Sequence, residues 1–139
     1  MSDHPMGHLP QTDDEYFEEL TKSVFQGGLN WQVVTSKWPG FRRGFSNFSV
    51  KDISDYLPDD VDRLMSDPEI VRNLRKIEAT IENAAEMLVI EIDYGSFGQY
   101  LASFESTDQA ADDVARRFRQ LGKLSAQAFV RRVSGQPCD

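Results

Sequence analysis

The sequence is poor in metal-binding and redox chemistry. Its one cysteine, Cys138, stands beside the C-terminus of 139 residues, so an internal disulfide and a cysteine-rich zinc site are both excluded. The two histidines, His4 and His8, are four apart, but Pro5 and Gly7 disrupt the helix that would align them. No metal and no cofactor are expected. Long apolar runs are also missing, and nothing approaches the ~20 residues that cross a bilayer. The opening MSDHPMGHLP lacks the basic start and apolar stretch of a secretory signal. The expected location is therefore the cytoplasm, away from membranes. No phosphate loop, no G-x-S-x-G and no Ser–His–acid set is present. Bases are outnumbered, 15 Lys and Arg against 23 Asp and Glu, and the net charge of −8 opposes general affinity for nucleic acid.

The charge that is present is unevenly placed. Residues 1–20 hold six acids (Asp3, Asp13, Asp14, Glu15, Glu18, Glu19) and no Lys or Arg. Residues 114–134 hold Arg116, Arg117, Arg119, Lys123, Arg131 and Arg132 and no acid, a local +6. Such a patch binds phosphates even on an acidic protein, and it is equally a solvated helix face.

The pattern of apolar residues is helical throughout, with no strand alternation and no repeat. Residues 1–11 read as a tail, and residues 12–139 as one domain. Thr12 or Asp13 caps a helix over 13–26, whose Phe17, Leu20, Val24 and Phe25 share a face. Gly27-Gly28 ends it, and Asn30 caps the next helix, which opens with Trp31. A short helix follows Pro39-Gly40, with Phe41, Phe45 and Phe48 as core anchors. Ser49 caps another, Pro58 starts a fifth, and DPEIVRN reads as a further helical turn. The longest helix covers roughly Arg75–Ile92, with Ile77, Ile81, Ala84, Ala85 and Leu88 inward and Tyr94-Gly95 as its stop. Two last helices, the first capped by Ser106 or Thr107, are joined at Gly122. The expected fold is all-α: a single compact domain of about eight short helices.

Two places could carry chemistry. The helix–Gly–helix element at 114–133 is similar to a helix-hairpin-helix, in which backbone N–H groups point at a phosphate oxygen. Arg116, Arg117, Arg119, Gly122 and Lys123 are its DNA-binding candidates. Trp31, just behind a glycine turn, is either a core residue or a plate for an aromatic ligand.

Taken together, these segments resemble the bacterial 3-methyladenine DNA glycosylase I family, collinearly from about Glu15 to Gly135. Gln26-Gly27-Gly28-Leu29-Asn30-Trp31 is similar to the family's Q-A-G-L-S-W. FRRGFSNFSVKDIS keeps the family's Phe and Arg spacing, and LRKIEATIENA resembles its K-I-x-A-x-I-x-N-A helix. GSFGQYLASF is similar to G-S-F-x-x-Y-x-W-S-F, and RRFRQLGKLSAQAF to the family's hairpin. The resemblance implies a DNA-glycosylase-like fold and a base-excision repair activity, hydrolysis of the N-glycosidic bond of an alkylated purine extruded from duplex DNA. It makes Trp31 the stacking plate for a cationic base, with Gln26 and Phe25 beside it. The family's pocket glutamate falls at Ser23, so catalysis at this position is expected to be impaired, and Ser23→Glu to restore part of it. The family's N-terminal Cys and Tyr-His elements have no counterpart, and its zinc ligands are expected to be absent. The chain therefore reads as a glycosylase-like monomer with weak affinity for alkylated duplex DNA. The alternative is a noncatalytic nucleic-acid- or protein-interaction module that keeps the fold.

Overall fold

In a computed structural model, residues 9–27 and 30–135 are described, and among them the chain is helical with no strand. The elements are α1 (Asp13–Gln26), α2 (Trp31–Ser36), α3 (Trp38–Gly44), a 3₁₀ turn (Ser46–Phe48), α4 (Val50–Ser54), α5 (Pro58–Met65), α6 (Leu74–Tyr94), α7 (Phe97–Ala102), α8 (Thr107–Arg117) and α9 (Lys123–Val133). The all-α class expected from the sequence is what the structure has, with one α-helix more than expected among the described residues.

Local chemistry sets most of the boundaries. Thr12 closes a capping box with Glu15: its hydroxyl accepts from the Glu15 N–H at 3.1 Å, while the Glu15 carboxylate accepts from the Thr12 N–H at 3.3 Å. Asn30 accepts from the Gln32 N–H at 2.8 Å and starts α2. Ser49, Asn73, Ser96 and Ser106 cap α4, α6, α7 and α8 in the same manner. Gly95, at φ 93°, ends α6 in a conformation that side chains resist. Gly40 is required for a different reason. A Cβ there would lie 2.2 Å from the Glu69 carbonyl oxygen, so α3 packs directly on the 66–70 backbone.

Two sequence expectations fail. DPEIVRN is a turn rather than a helix. The Asp67 carboxylate accepts from the Glu69 N–H at 2.8 Å, a local bond that competes with helical pairing, and Pro68 adds no donor. Ala85 is exposed, because α6 buries Ile77, Thr80, Asn83, Ala84, Met87 and Ile90 instead. The buried face includes polar Thr80 and Asn83, which an apolar reading passes over.

The core is rich in aromatic rings. Trp38 stacks on Phe41 and Phe48, and Phe41 takes the edge of Phe25 at a centroid distance of 4.7 Å. A second group joins Phe97 to Tyr100, Phe118 and Phe129. Helix α1 contacts α6, and α9 packs against both α1 and α8. That arrangement sets the C-terminal end of α1 beside the outer face of α9, and the α8–α9 hairpin against α6.

Candidate functional site

Ser23, Gln26 and Gly27 from the last turns of α1 face Ser125, Ala128 and Arg132 of α9 across an open cleft of about 130 Å³. The α9 residues follow helical spacing, so they form one stripe. Ser23 is 5% exposed. Its hydroxyl donates to the Glu19 carbonyl at 3.3 Å and accepts from Arg132 Nη2 at 3.1 Å. Arg132 Nε also reaches Glu19 Oε1 at 3.3 Å. The one proton and one lone pair of Ser23 are thus engaged, and the charge that touches it is a guanidinium paired in turn with Glu19. The end of α1 carries a second cation: Lys76, itself buried, donates to the Gly27 carbonyl, where a positive charge complements the helix dipole. Burial pushes the Lys76 ammonium below its usual range.

The other sequence candidates are spread around this cleft. Gln26 lines it. Phe25 is wholly buried against Phe41 and presents no free face. Trp31 is 57% exposed on the first turn of α2 and stacks on no other ring among the described residues, but it does not line the Ser23 cleft. Gly28 and Leu29 lie outside the described residues, as do His4, His8 and Cys138. Among the described residues no group of three His, Cys, Asp or Glu side chains could hold a metal ion.

The hairpin residues differ sharply from one another. Arg117 is structural: its guanidinium bonds Glu86 at 2.6 Å and Asp113 at 3.0 Å and lies over the Tyr100 ring. Burial pushes the Tyr100 phenol up, and its O–H donates to the Asp113 carboxylate at 2.7 Å. Arg116 pairs with Asp113 but is exposed, and Arg119 pairs with Glu82 at 2.7 Å. The +6 of the sequence is therefore partly cancelled by acids from α6 and α8. Lys123 is exposed at the start of α9 and has no ion pair among the described residues. Gly122 has an ordinary φ of −74°, and nothing lies within 4 Å of a Cβ built on it. Neither backbone strain nor packing requires a glycine there.

Sequence reasoning counted Arg132 only as part of a basic run and missed Asn83. Asn83 is 2% exposed and grips the hairpin backbone from α6, accepting from the Arg119 N–H at 2.7 Å and donating to the Arg119 carbonyl at 3.2 Å. The i, i+3, i+7 spacing of Ser125, Ala128 and Arg132 was a usable signal for the cleft.

The helical fold with a hairpin against its longest helix defines a glycosylase-like class. Residues 3–130 match the methyladenine glycosylase family, and the chain belongs to that family. DNA-3-methyladenine glycosylase 1 of Escherichia coli strain K12 is 33% identical over 97 residues, 69% of this chain and 52% of the relative. DNA-3-methyladenine glycosylase of Haemophilus influenzae is 29% identical over 106 residues, 76% of this chain and 57% of the relative. The chain thus spans about half the length of the curated relatives it matches. Among solved structures, 3-methyladenine DNA glycosylase I of Staphylococcus aureus superposes with a TM-score of 0.83 at 24% identity, over 94% of this chain and 80% of that one. That likeness is one of fold. A further 3-methyladenine DNA glycosylase I structure superposes with a TM-score of 0.79 at 25% identity, over 97% of this chain and 91% of that one.

Proposed function

We propose that this chain is a DNA glycosylase of base-excision repair. It holds duplex DNA at the α8–α9 hairpin, takes an extruded modified purine near the α1–α9 cleft, and cleaves its N-glycosidic bond slowly. The observation that carries this reading is the family match over residues 3–130. Three features support it. The exposed Trp31 ring offers a stacking plate worth ~1–3 kcal/mol per base. Gly122 and exposed Lys123 leave the start of α9 open to a phosphate. Arg116 and Arg119 sit on the same hairpin at 71% and 70% side-chain exposure.

Slow chemistry follows from Ser23. With its proton given to the Glu19 carbonyl and a guanidinium on its oxygen, the hydroxyl neither activates water nor stabilises a cation. We place residues 12–139 as the working unit, a monomer in the cytoplasm, with weak duplex affinity on the order of 10⁻⁴–10⁻⁶ M at physiological salt.

The test is chromatographic identification of purines released from alkylated duplex DNA, alongside duplex binding over a salt series. Slow purine release that Trp31→Ala abolishes, with binding weakened by Arg116→Ala plus Lys123→Ala, is the expected result. No purine release, together with duplex affinity and salt slope untouched by the double variant, would overturn it. The lack of a carboxylate among the cleft-lining residues favours the second reading in that event: a noncatalytic interaction module built on the same fold.

A further inference from the structure

The cleft between α1 and α9 combines size, open donors and a charge of definite sign. Its ~130 Å³ is on the scale of a cavity that takes one aromatic ring, roughly 150 Å³, and it opens to solvent, so a fused second ring has room outside. Three polar groups on its wall have no hydrogen bond among the described residues: the Gln26 amide, the Ser125 hydroxyl and Nη1 of Arg132. Ala128 supplies an apolar surface between them. Arg132 is fixed rather than free, since Glu19 and Ser23 hold its Nε and Nη2 and leave Nη1 as the outstanding donor.

These groups define the ligand edge they fit. A carboxamide pairs twice with a lactam, accepting from its ring N–H and donating to its carbonyl, and a guanidinium N–H adds a charge-assisted bond to that same carbonyl oxygen. A positively charged ring meets the Nη1 side of Arg132 as a like charge; Glu19 pairs with Arg132 at Nε but does not line the cleft, so it lowers that repulsion without supplying an acceptor to the ring. We infer that the Ser23–Arg132 cleft binds a neutral nucleobase with a lactam edge, of the 6-oxopurine kind, and discriminates against a cationic alkylated purine, with Arg132 setting the preference. This rests on the glycosylase reading only for where the base comes from. The cleft chemistry stands on its own residues.

The experiment is calorimetric titration of the intact chain with three free probes: hypoxanthine, adenine, and the permanently cationic 3,9-dimethyladeninium. Hypoxanthine should bind tightest and the cation weakest. Arg132→Met keeps the apolar stem and removes the donors, and should weaken hypoxanthine by about 10- to 100-fold while reducing discrimination against the cation. Since Arg132→Met also loosens the α1–α9 contact, Ala128→Trp serves as the second variant: it fills the cleft without touching an ion pair and should abolish hypoxanthine binding with helicity retained. Tighter binding of the cation than of hypoxanthine, or an unchanged ratio of hypoxanthine to cation affinity in Arg132→Met, would sink the inference. If no probe binds while purines are still released from alkylated DNA, the glycosylase reading survives and this cleft is not its base site. If hypoxanthine binds as described and no purine is released from DNA and no duplex is held, the cleft chemistry stands and the repair reading falls.

Discussion

At the scale of single residues, Ser23 and Arg132 have to be considered together. From the sequence, Ser23→Glu would restore a missing carboxylate. In the structure the new carboxylate would meet Arg132, which already sits 3.1 Å from the Ser23 oxygen, and would form an ion pair with it. Purine release from alkylated DNA should therefore stay unchanged in Ser23→Glu and rise only when Arg132→Ala is added. Release kinetics of the single and double variants decide this, and equal rates in both would refute it. The two tryptophans separate as cleanly. Trp38 is 6% exposed, stacks between Phe41 and Phe48, and donates its indole N–H to Glu18 at 2.9 Å. Trp38→Ala should cost about 3–5 kcal/mol in denaturant unfolding, whereas Trp31→Ala should cost less than about 1 kcal/mol. A large loss from Trp31→Ala would mark it as a packing residue. The split was not legible in the sequence, because both tryptophans begin short helices and only tertiary packing tells the buried one from the open one.

Elements show what a pass along the chain reads well and what it does not. The caps at Thr12, Asn30, Ser49 and Ser106 and the stop at Gly95 depend on neighbours within four residues, so the boundaries of α1, α2, α4, α6 and α8 were readable. The hairpin's true charge was not, because Glu86 and Glu82 reach it from α6, more than thirty residues away. Two hairpin residues then give opposite predictions. Asn83→Ala leaves the Arg119 N–H without its buried partner and should destabilise by about 1–3 kcal/mol. Gly122→Ala meets no neighbour and needs no special φ, so it should leave the melting temperature unchanged or slightly raised. If a phosphate approaches the start of α9, the added methyl should nonetheless weaken duplex binding. A Gly122→Ala protein that melts normally and binds DNA as before would show that the glycine serves neither fold nor phosphate.

For the whole molecule, charge is best read through pH. Glu91 is pushed up to about 7 by burial, by a hydrogen bond with Asp13 and by the charges of Asp13 and Asp14. A carboxyl with a raised folded pKa keeps a proton that the unfolded chain has lost. Its effect on stability is therefore unfavourable as pH rises, starting near the ordinary value of 4.5 and complete a little above 7. Glu91 is half-buried, so solvent reduces the size of the effect but not its sign. Glu91→Gln should remove this component: the variant should gain on the parent between about pH 5 and 8 in chemical unfolding, and the difference should vanish toward pH 4. A constant difference across that range would contradict the assignment. The acidic start of the chain was visible in the sequence as a run of charge. That two of its members act as helix caps was not, because their partners lie far along the chain.

Those partners carry a consequence for the order of assembly. Adjacent Asp13 and Asp14 accept from the Phe97 N–H and the Val50 N–H, each at 3.0 Å, and so close loops of 84 and 36 residues. Contacts of such long span meet a larger loop-closure entropy than helical turns do, so they form after the local turns of α6 and the α8–α9 hairpin have set. The first turn of α1 should then dock late in folding and lift away early in native fluctuations. The amide protons of Val50 and Phe97 should exchange with solvent sooner than those in the middle of α6, although all of them sit in hydrogen bonds.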